Sequence, residues 1–168
     1  DYIGLRILRS GRPYERHLLG AVRGIARSGV IVDVGANVGN HAIYWAVAGA
    51  TVRAYEPNPI ALEWLRLNVD ANGLEARVHV RAVAVGARGG HASIAGTFDG
   101  NLGATWVRAD SSGGLEMVAL DDEGLGRVAV VKIDVEGGEC DVLRGAERLL
   151  ANRRPVVVME AFTSAGSD

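Results

Sequence analysis

Val30-Ile31-Val32-Asp33-Val34-Gly35-Ala36-Asn37-Val38-Gly39-Asn40 is the stretch whose reading decides the fold. Four β-branched apolar residues surround one acid, two glycines punctuate a turn, and a helical pattern follows through Ile43, Tyr44, Ala46 and Val47. This reads as a buried strand running into a tight loop and a helix N-terminus. Gly35 and Gly39 stand where a backbone takes positive φ or lets a ligand come close. The loop is Asp-x-Gly-x-Asn-x-Gly, not the Gly-x-Gly-x-x-Gly that brings bare N–H groups to a pyrophosphate. An acid at the strand end repels a pyrophosphate. It suits a ligand carrying an ammonium group or hydroxyls.

The same pattern repeats along the chain. Strand two, Thr51 to Tyr55, ends at Glu56, which follows the glycine loop by about 20 residues, the spacing at which a carboxylate meets ribose hydroxyls. Asn58-Pro59 supplies an N-cap and a first-turn proline, Leu62, Leu65 and Val69 form a buried stripe, and Asn72-Gly73 ends that helix. Strand three is Arg77 to Arg81. Strand four, Val128 to Ile133, ends at Asp134. The following helix carries Cys140, Val142, Leu143, Ala146, Leu149 and Leu150, which puts Cys140 in the core. Strand five, Val156 to Met159, ends at Glu160.

Other segments read less regularly. Residues 2 to 8 alternate loosely, as a short strand. Leu18, Leu19, Val22, Ile25 and Ala26 recur at helical spacing until Ser28-Gly29. Between residues 82 and 127, Ala92 to Ala95 and Leu115 to Leu120 read as short strands around a Gly-rich polar link, with Asn101-Leu102-Gly103 at a hairpin tip. Leu120-Asp121-Asp122 opens a short helix.

Strands alternating with helices predict an α/β fold, a doubly wound, mostly parallel Rossmann-like sheet. In such a sheet ligands bind at the carboxyl ends of the strands, where the strand order reverses, here between strands one and four. Asp33, Glu56, Asp134 and Glu160 each end a strand there. Four acids on one rim are costly unless something cationic or rich in hydroxyls fills the crevice.

A chain of 168 residues is read as one domain. Its formal net charge of −2 gives no reason to expect nucleic acid or an anionic membrane as partner. Basic residues are arginine except for Lys132, a bias read as compositional. Arg148, Arg153 and Arg154 read as a solvated surface. The single cysteine excludes an internal disulfide framework and suits a reducing, cytoplasmic setting. No apolar run reaches the roughly 18 residues of a membrane span. The chain starts at Asp1, as a trimmed sequence would.

Ile31 to His41, Tyr55-Glu56-Pro57-Asn58, Lys132-Ile133-Asp134-Val135-Glu136-Gly137 and Pro155 to Glu160 come in an order that resembles the class I S-adenosylmethionine-dependent methyltransferases. The Lys-Ile-Asp-Val-Glu-Gly run, followed by Glu139, Leu143 and Gly145-Ala146, resembles the FkbM family within them. The resemblance implies strand order 3-2-1-4-5 and two further strands, six and seven. Those are absent, so residues 1–168 are expected to be a single, C-terminally truncated domain.

It also implies S-adenosylmethionine as cofactor, a ligand with a sulfonium, an ammonium, one carboxylate and no phosphate. Glu56, followed by Pro57, is then expected to accept both ribose hydroxyls. Asp33 is expected to orient the methionine ammonium, directly or through water. Gly35, Ala36, Asn37 and Gly39 wrap the methionine end, with backbone N–H groups free for its carboxylate and His41 close by. Adenine contact rests on backbone groups around Ala84, because Arg81-Ala82-Val83-Ala84 lacks the acid or amide common there. Tyr14 and Glu15 are implied to lie near the site.

For catalysis the first candidate base is Asp134, also placed on the cofactor side, then Glu160 and Glu136, with His41 as a weaker one. Glu136 and Glu139 equally read as carboxylates opening a helix. No metal is expected; Asp134 and Glu160 would be its ligands, but no tight ligand spacing supports one. The resemblance implies O-methylation of a small-molecule or glycan hydroxyl acceptor: a sugar, glycolipid or secondary metabolite. Two alternatives are a non-catalytic cofactor-binding scaffold and an NAD-dependent oxidoreductase, which the glycine spacing and Asp33 oppose. A nucleic-acid substrate is disfavoured by charge and by the lack of a basic, aromatic-bearing face.

Overall fold

The computed structural model describes residues 2–25, 29–98 and 101–160. In chain order the elements are α1 (Tyr2–Ser10), α2 (Arg16–Ile25), β1 (Val30–Val34), α3 (Asn40–Val47), β2 (Thr51–Tyr55), α4 (Pro59–Ala71) and β3 (Val78–Arg81). Then come β4 (Ala84–Val85), β5 (Gly90–Phe98), β6 (Asn101–Ala109), β7 (Leu115–Val118), a short 3₁₀ turn (Leu120–Asp122), β8 (Val128–Ile133), α5 (Glu139–Arg144), α6 (Glu147–Arg153) and β9 (Val156–Met159). The main sheet has the order β3-β2-β1-β8-β9, and every pair in it is parallel. The expected strand order and the reversal between the first and fourth strands of this sheet are both present.

Alternation along β1 divides its side chains between two cores. Ile31 joins Trp45 of α3 and Leu65 of α4 on one face. Val32 and Val34 join Ile133, Val142 and Leu149 on the other. Asp33 shares the Ile31 face, and its register partner on β8 is Lys132. Asn58 caps α4 as expected, its side chain accepting from the Ile60 N–H at 3.0 Å. Among the described residues, no helix is long and apolar enough to cross a membrane.

The N-terminal segment differs from the expected strand: it is the helix α1. Gly4, Ile7, Leu8 and Gly11 recur at i, i+3, i+4 and i+7, and this face lies along a groove beside α3 and α4. Ala26 and the helix stop expected at Ser28 lie outside the described residues. The helix after strand four is in fact two, α5 and α6. Gly145 sits at the break, where a Cβ would overlap the Gly86 carbonyl oxygen. Cys140 is exposed, not buried. The buried stripe runs through Val142, Ala146 and Leu149, and Cys140 is two residues off it. Arg148 is not simply solvated but pairs with Asp121 and Asp122.

The largest departure lies between β3 and β8. A second sheet forms there, in the order β4-β7-β5-β6, and the presumed polar link contains the whole of β6. Asn101-Leu102-Gly103 begins that strand rather than forming a loop. Gly, Ala, Ser and Asn weaken the intrinsic strand signal of β5 and β6. Their pairing instead rests on contacts such as Trp106, whose ring occupies the place a Cβ on Gly96 would take across the ladder.

Candidate active site

A cavity of about 290 Å³ opens at the carboxyl ends of the main sheet. The β1–α3 loop supplies Gly35, Ala36 and Asn37, and the start of α3 supplies Asn40 and His41. Glu56 and Pro57 follow β2, Lys132, Asp134 and Glu136 come from the end of β8 and beyond, and Glu160 follows β9. The second sheet closes one side with Ala84, Val85, Thr105 and Val107. Tyr14 and Glu15, between α1 and α2, close another.

Glu56 is 7% exposed. One carboxylate oxygen accepts the Asn37 N–H at 2.8 Å and the other accepts the Asn58 N–H at 2.8 Å. Burial raises its pKa above the ordinary glutamate value, against the opposing pull of those two N–H groups. Each oxygen keeps a further lone pair for a hydroxyl donor. Asn58 also donates to Thr105 Oγ1 at 3.0 Å, so the Glu56 loop is tied to the second sheet.

Lys132 is 4% exposed and holds three groups together. Its ammonium lies 3.0 Å from Asp33 Oδ1 and 3.3 Å from Asp134 Oδ2, and donates to the Gly35 carbonyl at 2.8 Å. Burial opposes its charge, but Asp33 and Asp134 outweigh that and raise its pKa. Asp33 is completely buried beneath it and is not among the cavity-lining residues.

The mouth is acidic. Burial raises the pKa of Glu136, and so do Asp134, Glu160 and Glu139. Burial, Asp134 and Glu15 likewise raise Glu160, against the pull of Lys132. Glu15 lies 2.9 Å from Nε2 of the buried His41, and the hydrogen bond to His41 lowers its pKa. The His41 ring in turn packs on Trp45 at 5.4 Å between centroids. Of the four described non-glycine residues with positive φ, three line this cavity: Glu15 (φ 53), Asn37 (φ 51) and Glu136 (φ 55). Such backbones cluster where a site constrains them.

The structure thus brings together Gly35, Ala36, Asn37, His41, Glu56, Pro57, Ala84, Asp134, Glu136 and Glu160, all expected at the site. It sets two apart. Asp33 faces Lys132 in the interior and does not line the cavity. Gly39, at φ 91, packs against Leu65 and Ile43 instead of lining the cavity. The loop N–H groups are not free either: Gly35 and Ala36 both donate to the Tyr55 carbonyl at 3.0 Å, Asn37 donates to Glu56, and Gly39 to Ala36. The loop is folded back onto the end of β2. Glu136 stands before α5, not in it, while Glu139 accepts from the Gly137 N–H at 2.9 Å.

Sequence reasoning missed Lys132, although a lone lysine pointing from a buried strand between two acids was a readable signal. It also missed Thr105 and Val107, which nothing marks before the second sheet is seen.

A methyl donor of the expected kind fits these residues. The lining acids Glu15, Glu56, Asp134, Glu136 and Glu160 face the single lysine, so a cationic ligand is favoured over a phosphate. Asn37 Oδ1 is buried with no hydrogen-bond donor among the described residues, and Asn37 lines the cavity.

Comparison with known proteins points the same way. The model of the methyltransferase FkbM domain family matches residues 33–167. No curated protein matches the chain in sequence. The crystal structure of methyltransferase FkbM from Methylobacillus flagellatus KT superposes with a TM-score of 0.58 at 22% identity, covering 80% of this chain and 33% of that one. The C-terminal domain of precorrin-6Y C5,15-methyltransferase from Rhodobacter capsulatus gives 0.55 at 21% identity, covering 89% of this chain and 62% of that one. At these identities the likeness is one of fold, and the chain spans only a third of the length of the first.

Proposed function

This chain belongs to the FkbM methyltransferase family, whose methyl donor is S-adenosylmethionine, and on that premise we propose that it methylates a hydroxyl oxygen of a sugar, glycolipid or secondary-metabolite acceptor. The observation that carries the reading is Glu56, buried at the end of β2 with one lone pair on each oxygen left for a diol. The exposed thiol of Cys140 supports a reducing, cytoplasmic setting.

The donor, when bound, supplies a methyl group already activated on a sulfonium. The chain's work is alignment, dryness and proton removal. Glu56 holds the ribose hydroxyls. Val85 and Val107 offer an apolar slot for a flat ring. The acids at the mouth attract the cationic end, and Lys132 keeps Asp134 in place among them. A hydroxyl nucleophile must lose its proton. Glu160 is the base in this reading, ahead of Asp134, because Asp134 already shares one oxygen with the Lys132 ammonium. Glu160 is held above the ordinary glutamate value by burial and by Asp134, which makes it a stronger proton acceptor near neutral pH.

Glu56→Ala is expected to weaken S-adenosylmethionine binding by about 1–3 kcal/mol in a calorimetric titration. In the wild type, affinity should rise with pH above the ordinary glutamate range, because the ionised carboxylate is the form that accepts two hydroxyls and burial delays its ionisation. The variant should lose that rise; equal affinities at every pH would remove the ribose assignment. Glu160→Gln is expected to cut turnover with a hydroxylated acceptor by roughly 10²-fold or more while cofactor affinity stays. The wild-type rate should fall as pH drops through the raised Glu160 value. An unchanged rate and profile in the variant would pass the role to Glu136 or Asp134.

A further inference from the structure

The charge of this chain is divided unevenly. Residues 1–28 hold six arginines against Asp1 and Glu15, which leaves them at +4, and since the whole chain is at −2 the remainder is at −6. The structure adds a second asymmetry to the same end. Helix α1 exposes Leu5 (51%) and Leu8 (81%) beside Arg9. A groove of about 720 Å³ runs between α1, α3 and α4, and Leu8, Val47 and Trp64 line it. Val47 is 68% exposed and Trp64 52% exposed. On the other flank of α1 a cleft is lined by Arg9 and Arg12, and Arg12 and Pro13 belong to both depressions. The next residues, Tyr14 and Glu15, line the active cavity.

We propose that α1 and the adjoining edges of α3 and α4 form a docking surface for an anionic lipid bilayer. Arginines alone would take any polyanion, and an apolar strip alone would suit another protein. Leucine, valine and tryptophan in a groove that Arg12 borders, with Arg9 on the adjoining flank, match a bilayer boundary, where apolar groups enter the acyl region and guanidinium groups meet phosphates. The acidic remainder strengthens the case. An anionic surface attracts the N-terminal end and repels the rest, so the molecule approaches in one orientation. Helix α1 is short, which makes the docking reversible and dependent on both contributions.

The test is flotation of the chain with vesicles of phosphatidylcholine alone, and of phosphatidylcholine mixed with phosphatidylglycerol, at low and physiological salt. We expect flotation with the mixed vesicles only, weakened by salt. Arg9→Gln should lower the affinity roughly fivefold. Leu8→Asp, at a site too exposed to matter for folding, should abolish flotation. No flotation, equal flotation with neutral vesicles, or flotation indifferent to Leu8→Asp would overturn the proposal. So would single-stranded RNA that outcompetes the mixed vesicles, since the arginines would then be reading a polyanion. Calorimetric titration of the same samples with S-adenosylmethionine separates the two readings. Cofactor binding without flotation sinks the docking alone, and flotation without cofactor binding sinks the methyl-transfer reading alone.

Discussion

Lys132→Met lowers the unfolding free energy by about 3–5 kcal/mol at neutral pH. Methionine matches the length of the lysine stem and fills the same space, so packing contributes little to the loss. The loss comes from Asp33. That carboxylate has no exposure, and among the described residues its ion partner is Lys132. Without the ammonium it is a buried charge with no compensation, and the Gly35 carbonyl loses its donor as well. Combining Lys132→Met with Asp33→Asn should recover much of the stability, because the uncompensated charge is gone. The dependence on pH has a definite sign. The folded ammonium holds its proton more tightly than the ordinary lysine value of 10.5, so its stabilisation is complete below about that pH and is lost as pH rises through the folded value. Urea unfolding of the single and double variants and the wild type at neutral and alkaline pH checks all of this. A single-variant loss under about 1 kcal/mol would mean that water reaches Asp33.

Gly35→Ala carries the second large effect, a loss of about 2–5 kcal/mol together with loss of cofactor binding. Two independent obstacles meet at this residue. Its φ of 74 lies in the left-handed region, which disfavours a side chain. Its Cβ would also overlap the carbonyl oxygen of Asp134, which is backbone and cannot rotate away. The loop after β1 and the end of β8 would have to separate, opening the contact that seats Lys132 beneath Gly35. Thermal unfolding and a cofactor titration of the variant report both effects. A variant that keeps wild-type stability would show that the two strand ends can part freely.

Much of the main sheet was readable because its strands are mostly apolar runs, four of the five with an acid at or just past the end. Val30–Val34, Thr51–Tyr55 and Val128–Ile133 carry their ends in plain view, and Asn58-Pro59 announces α4. Glu56, Asp134 and Glu160 follow from the same rule. The second sheet was not readable in full, since the Gly, Ala and Ser residues scattered through Gly90–Ala109 break up the alternation, and its strand character appears only when β5 and β6 pair. With it went Thr105 and Val107. Helix α1 was misread because seven residues fit period 2 and period 3.6 almost equally well, and only the groove beside α3 and α4 decides between them. The burial of Asp33 against Lys132 was unreadable for a different reason. A sequence shows that an acid ends near a site, but not whether a lysine seven strands later in the chain lies across it.

Glu15, Asn37 and Glu136 have a consequence for anyone who would engineer this protein. Each holds a left-handed backbone that its residue type adopts at a cost of roughly 1 kcal/mol or so. Asparagine tolerates that conformation better than glutamate. A screen for heat resistance alone would therefore drift toward asparagine or glycine at positions 15 and 136, and would report success while dismantling the acidic mouth of the cavity. Durability and chemistry compete for the same two residues, so any search for a hardier variant needs a cofactor assay in every round.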